Sequence, residues 1–88
     1  MKLLWAEQAW SDYLYFQETD EKIRDRINAL ITEAKRTPFQ GLGKPEPLKG
    51  DLKGWWSRRI TGDHRLVCHV AGKDADQRLE IAACRYHY

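Results

Sequence analysis

Residues 55–70 read Trp55-Trp56-Ser57-Arg58-Arg59-Ile60-Thr61-Gly62-Asp63-His64-Arg65-Leu66-Val67-Cys68-His69-Val70, and this stretch decides the fold. Two strand-like runs, 55–61 and 65–70, flank a short turn at Thr61-Gly62-Asp63-His64, a pattern that predicts an antiparallel hairpin. Alternation sets Trp55, Ser57, Arg59 and Thr61 against Trp56, Arg58 and Ile60. In the second run it sets Arg65, Val67 and His69 against Leu66, Cys68 and Val70. One face of each run is mostly apolar and should meet another layer. The opposite faces can place Arg59 beside Arg65, and cations opposed on a sheet destabilise it unless an anion sits between them. A phosphate would serve.

Outward from this hairpin, residues 79–85 read as a third strand, reached through a longer polar tip at 71–78. Upstream, residues 38–54 hold three Pro and four Gly in seventeen positions and read as an ordered loop. Before it, Ile23, Ile27, Leu30, Ile31 and Ala34 form an apolar stripe of helical period. Thr19-Asp20 supplies a break and an N-cap, and Pro38 ends the helix near Arg36-Thr37. An earlier helix carries Ala6, Ala9, Trp10, Tyr13, Leu14 and Gln17 on one side, with Ala6 standing where a polar cap is expected. Lys2-Leu3-Leu4-Trp5 suits a short strand. The fold class is therefore α+β. An N-terminal strand and an antiparallel helical hairpin pack on one face of a mainly antiparallel, four- to five-stranded sheet, and the other face is left open.

Composition agrees with one domain over residues 1–88, hydrophobic to 42% and globular rather than disordered. No apolar run approaches membrane-spanning length, and the apolar part of residues 1–7 is too short for a signal peptide, so a cytoplasmic protein is expected. Cys68 and Cys84 lie far apart without a C-x-x-C motif and read as buried or half-buried thiols. No metal-ligand spacing links them to His64, His69 or His87, and no cofactor is expected. Net charge is only +2, but between Lys35 and Arg65 eight Lys or Arg residues face three acids, with Phe39, Trp55, Trp56 and His64 interleaved. That is the footprint of a nucleic-acid surface; a solvated basic face has the same composition.

Glu46 is the lone acid between Glu33 and Asp51, in Lys44-Pro45-Glu46-Pro47-Leu48-Lys49. Pro47 restricts Glu46 to extended backbone, and the lysines favour its ionised form, which suits a general base. The plain alternative is a surface glutamate in a Pro-bounded turn. Cys84-Arg85-Tyr86-His87-Tyr88 follows the third strand and carries an imidazole beside two phenols, suited to proton transfer and base stacking. With cations at Lys49, Arg59 and Arg65 and a ring at Tyr88, these groups make an inventory for cleaving RNA without a metal. A base takes the ribose 2′-hydroxyl proton, cations stabilise the phosphorane, and an acid protonates the leaving 5′-oxygen.

The ordered segments Lys2-Leu3-Leu4-Trp5, 10–20, 36–39, 43–49, 56–60, 64–67 and 82–88 resemble the YoeB toxins of the RelE/ParE superfamily over essentially the whole length. The resemblance implies a RelE/YoeB-like, microbial RNase-like fold and a ribosome-dependent mRNA endonuclease, the toxin of a type II toxin–antitoxin pair. By the family pattern Glu46 is the general base, His87 the general acid and Arg65 the transition-state stabiliser. Lys49 and Arg59 hold phosphate, and Tyr88 positions a base. It also implies a YefM-like antitoxin, action on mRNA in the ribosome, a homodimer, and operator DNA bound only through the antitoxin complex. The 72–78 tip looks longer than the family's usual hairpin. Two other readings are a non-enzymatic ParE-like toxin and an RNA- or DNA-binding scaffold. Neither needs the pairing of Glu46 with His87.

Overall fold

The computed structural model describes residues 1–86, and its two helices form where the apolar spacing put them. Helix α1 (Glu7–Thr19) starts at Ala6 with no side-chain cap. Helix α2 (Glu21–Arg36) starts at Asp20, whose carboxylate accepts from the Ile23 amide at 3.2 Å and satisfies one of the orphan donors of the first turn. Lys35 and Arg36 lie in the last turn, where cations favour the helix dipole. The α2 stripe is buried as its period requires, at Ile27, Leu30, Ile31 and Ala34. The α1 stripe differs from the sequence reading. Ala9 and Phe16 are its buried residues, while Trp10 and Leu14 are exposed. The cause is an aromatic cluster: Trp10 packs outward on Trp5 and stacks on Tyr13, leaving the inner position to Phe16.

Among the described residues five strands follow the order β1-β5-β4-β3-β2: β1 (Lys2–Trp5), β2 (Glu46–Pro47), β3 (Trp56–Arg59), β4 (Arg65–Ala71) and β5 (Arg78–Ala83). All neighbours are antiparallel except β1 and β5, so the sheet is mixed. A parallel pair needs a long crossover, and both helices and the β3–β4 hairpin lie between these two strands. Residues 38–54 are less irregular than the sequence suggested, because Glu46 and Pro47 pair with Ser57 and Trp56 as an edge strand. An edge is the place where a sheet tolerates proline. The last strand is shorter than expected. It ends at Ala83, and its ladder with β4 carries an irregularity beside Val67. The polar tip between β4 and β5 contains a short 3-10 turn, Asp74–Asp76.

The helices and one sheet face enclose a core of Phe16, Ile27, Leu30, Leu66, Leu79, Ile81 and Cys84, with the Cys68 thiol among them. Both cysteines are free and buried. Burial pushes the Cys68 thiol up to about 11 and the Cys84 thiol up to about 12, because a thiolate there would lose its hydration. Among the described residues no helix is long and apolar enough to cross a membrane.

Candidate active site

The face of the sheet turned away from the helices collects the polar side chains. Cross-strand partners share a face, and the register puts Glu46, Ser57, Val67 and Ala83 in one row across β2, β3, β4 and β5. Ser57 and Val67 are buried, whereas Glu46 at the edge is exposed. The adjoining row opposes Arg59 to Arg65, as the alternation and turn predicted. One glutamate and two arginines opposed in register thus border a floor made of a small hydroxyl and a valine.

The turn shapes the Arg65 side chain. Arg65 Nη1 donates to the carbonyls of Thr61 at 2.7 Å, His64 at 3.0 Å and Gly62 at 3.3 Å. A guanidinium carries five N–H donors, so this nitrogen fixes the fork while Nε and Nη2 carry the other three. The turn itself is tied by Thr61, whose hydroxyl accepts from the amides of Asp63 and His64. Arg59 is exposed, and its amide donates to Gly43 at 2.8 Å.

Glu46 is placed by the segment that leads to it. The Gly43 carbonyl bonds to Arg59 and the Leu48 amide donates to Trp55 at 2.9 Å, so residues 43–48 run along β3. Gly43 has φ +87°, and a Cβ there would lie 2.7 Å from Leu30 Cδ2; only glycine lets this backbone approach the helix layer. Lys49 is exposed, just before the 3-10 turn Gly50–Leu52. Among the described residues neither Lys44 nor Lys49 reaches ion-pair distance of Glu46. His87 and Tyr88 lie outside the described residues.

Alternation puts Arg58 on the mostly apolar face of β3, with Trp56 and Ile60, and assigns it no role there. It is fully buried, at 0% exposure, as a charged group among apolar neighbours. Its Nη1 donates to Leu42 at 2.8 Å, and its Nη2 donates to the carbonyls of Thr37 and Gln40. Burial lowers its proton affinity below the ordinary arginine value, while Glu33 acts in the opposite sense. Arg58 is thus the clamp of the 37–43 loop, a role that no local pattern marks.

Two further groups were missed. His69 is the register partner of Glu80, and its Nε2 lies 2.7 Å from Glu80 Oε1. Arg78 Nε donates to the other carboxylate oxygen at 2.6 Å, and the Trp55 ring stacks on His69 with centroids 3.8 Å apart. The hydrogen bond to His69, then that to Arg78, hold the Glu80 carboxyl below its ordinary value. Period-two alternation already put His69 on the Arg65 face, but its partner depends on the β4–β5 register. His64 was read only as part of a turn and a basic stretch, yet its Nδ1 accepts from the Tyr86 amide at 2.8 Å. Among the described residues no group of three or more His, Cys, Asp or Glu could hold a metal ion.

A model of the YoeB-like toxins of bacterial type II toxin–antitoxin systems matches residues 5–88. Toxin YoeB of Escherichia coli K12 is 61% identical over 88 residues, all of both chains. The solved YoeB/ParE toxin from Agrobacterium tumefaciens is 58% identical, covers both chains completely and superposes with a TM-score of 0.97. A Staphylococcus aureus relative has been solved as a YoeB dimer (43% identical, TM-score 0.89) and as a YoeB–YefM complex (42%, 0.86); each covers 100% of this chain and 98% of the other. Identity at this level over the full length leaves the fold and the family in no doubt. The chain belongs to the YoeB-like toxins of bacterial type II toxin–antitoxin systems.

Proposed function

We propose that this toxin is a metal-independent endoribonuclease that cleaves mRNA in the ribosomal A site and so stops translation. The observation that carries the reading is the open sheet face, where the Glu46 row adjoins the opposed Arg59 and Arg65. Facing arginines repel each other and are best relieved by an anion, and a scissile phosphate is one. Glu46, acting as general base, takes the proton of the ribose 2′-hydroxyl, and the freed oxygen attacks the adjacent phosphorus. Arg65, with its fork fixed by the turn carbonyls, stabilises charge on the phosphorane oxygens without having to reorganise. His87 protonates the departing 5′-oxygen. The products are a 2′,3′-cyclic phosphate and a free 5′-hydroxyl. Lys49 and Arg59 hold flanking phosphate, and Tyr88 stacks on a base. The nucleophile belongs to the substrate, so no serine, cysteine or metal is required.

The partner is a YefM-like antitoxin, supported by the complex of the Staphylococcus aureus relative, and the toxin itself dimerises, supported by the dimer of that relative. Primer extension on ribosomes programmed with a defined mRNA tests the chemistry. The expected result is a cut in the A-site codon that vanishes when the scissile sugar is 2′-deoxy. Glu46→Gln and His87→Ala should each slow turnover by about 10²- to 10⁴-fold. Cleavage that survives the deoxy sugar overturns 2′-hydroxyl attack. Full activity of either variant removes that residue from its role.

A further inference from the structure

His64 stands on the same hairpin turn that fixes Arg65, and its ring packs against Phe16 and Tyr86. Tyr86 donates its amide to His64 Nδ1 at 2.8 Å, and the Tyr86 carbonyl accepts from the Arg65 amide at 3.2 Å. Both backbone groups of Tyr86 are therefore held by two adjacent residues of the turn. Tyr86 has φ +61°, a left-handed conformation that costs a non-glycine residue on the order of 1 kcal/mol and persists where surrounding contacts over-determine it. An acceptor at Nδ1 also places the imidazole proton on Nε2.

The turn is rigid enough to serve as a reference point. The His64 carbonyl accepts from the amides of Ile60 and Thr61 and from the Arg65 guanidinium, and its amide donates to the Thr61 hydroxyl. The ring is packed edge-on against Phe16, centroids 5.1 Å apart, and against Tyr86 at 5.3 Å. Beyond it, Arg85 pairs with Asp12 at 3.5 Å and lies over the Tyr15 ring at 4.0 Å. Residues 84–86 are thus tied down through side chains after the β5 ladder has ended. The chain is therefore held as far as Tyr86, the last of the described residues.

We propose that His64 is a positioning residue: its Nδ1, by accepting the Tyr86 amide, sets the backbone from which His87 and Tyr88 reach the substrate. One turn then orients both the phosphate-stabilising Arg65 and the acid-bearing tail. The inference rests on the catalytic reading of residue 87 given above. Its distinguishing prediction is that the hydrogen-bond acceptor matters, not the ring.

Two variants separate these contributions. His64→Asn keeps a side-chain oxygen near the Nδ1 position but loses the ring, and His64→Phe keeps the ring but has no acceptor. In single-turnover cleavage on ribosomes, His64→Phe should lose about 10- to 100-fold in rate with little change in half-saturating ribosome concentration, as expected for misplaced catalytic groups. His64→Asn should stay within a few-fold of the wild type. Amide hydrogen exchange of Tyr86, measured by NMR without substrate, should accelerate about tenfold in His64→Phe and change little in His64→Asn. The reverse order, with His64→Phe near wild type and His64→Asn impaired, would assign His64 to packing and overturn the proposal. Unchanged Tyr86 exchange in His64→Phe would overturn it as well. If exchange responds as expected but the wild type cuts no ribosome-bound mRNA, the clamp stands and the nuclease reading fails.

Discussion

Two irregular segments flank the sheet, and they are fastened by opposite means. Residues 37–43 are held by Arg58, a fully buried cation that donates to three loop carbonyls. Residues 84–86 are held by one imidazole acceptor, one backbone amide and a part-buried ion pair. A buried charge with several hydrogen bonds is costly to lose, because its acceptors are then left without donors in a place that water reaches poorly. The bond from Tyr86 to His64 is exposed, and an exposed contact is cheap to lose because water replaces it. The difference implies a division of labour. The Glu46 side is tied into global stability, while the tail side can be perturbed with little effect on the fold.

The largest expected effect breaks the first clamp. Arg58→Met leaves the carbonyls of Thr37, Gln40 and Leu42 unpaired and should cost about 3 kcal/mol or more in urea unfolding. His64→Phe should cost less than about 1 kcal/mol in the same measurement. Equal losses in the two variants would erase the proposed division. For a domain of this size the Arg58 variant should also melt more than about 10 °C lower.

The sequence made the two clamps unequally hard to see. The α2 stripe, the Asp20 cap and the β3–β4 hairpin were legible because each is written in spacing over a few residues. For the same reason the opposition of Arg59 and Arg65 could be read from one turn and one alternation. The pairing of Glu46 with Ser57 could not, since a two-residue edge strand leaves no period to detect. Arg58 escaped because arginine is mostly found at surfaces, and its three acceptors are backbone carbonyls 16 to 21 residues away, which no side-chain pattern marks. Phe16 was passed over for Trp10 because helical period alone cannot say which aromatic turns outward; contacts with Trp5 and Tyr13 decide it. His64 meets Tyr86 across 22 positions, a distance set only when β5 is laid against β4.

The two thiols give a sharper and more moderate test. Cys68 lies in β4, bonded to neighbours on both sides, so reaching it requires opening of the sheet. Cys84 is just as buried, with its thiol 3.4 Å from the Ala9 carbonyl, but it lies beyond the β5 ladder in the segment secured by His64 and Arg85. Local opening of that segment exposes Cys84 alone. With a thiol reagent at pH 8 both should react slowly, since a closed thiol raised to about 11 or about 12 holds almost no thiolate. Cys84 should still react about tenfold faster than Cys68. His64→Phe should increase the Cys84 rate only. Identical rates for the two thiols in the wild type would mean that the tail opens only with the whole molecule.

The smallest expected effect concerns a titration on the clamped side. Glu33 accepts from the Leu42 amide at 3.1 Å and is paired with Arg36. The Leu42 hydrogen bond first, and then Arg36, hold its carboxyl below the ordinary glutamate value. A depressed carboxyl binds fewer protons when folded than when unfolded, so its stabilisation is complete above the ordinary range and fades as pH falls through the folded value. Glu33→Gln should therefore be less stable than the wild type near neutrality, and the gap should narrow as pH drops from about 6 to about 3. Urea midpoints across that range measure the gap. The pair is largely at the surface, so the effect should stay well below that of Arg58. The tail offers a contrast within one experiment: Tyr86 amide exchange should not follow Glu33 titration, because Glu33 bonds to the 37–43 loop and not to residues 84–86. A Tyr86 amide that loosens in step with Glu33 protonation would join the two segments into one cooperative unit, and the separation of stability from positioning would then have to be given up.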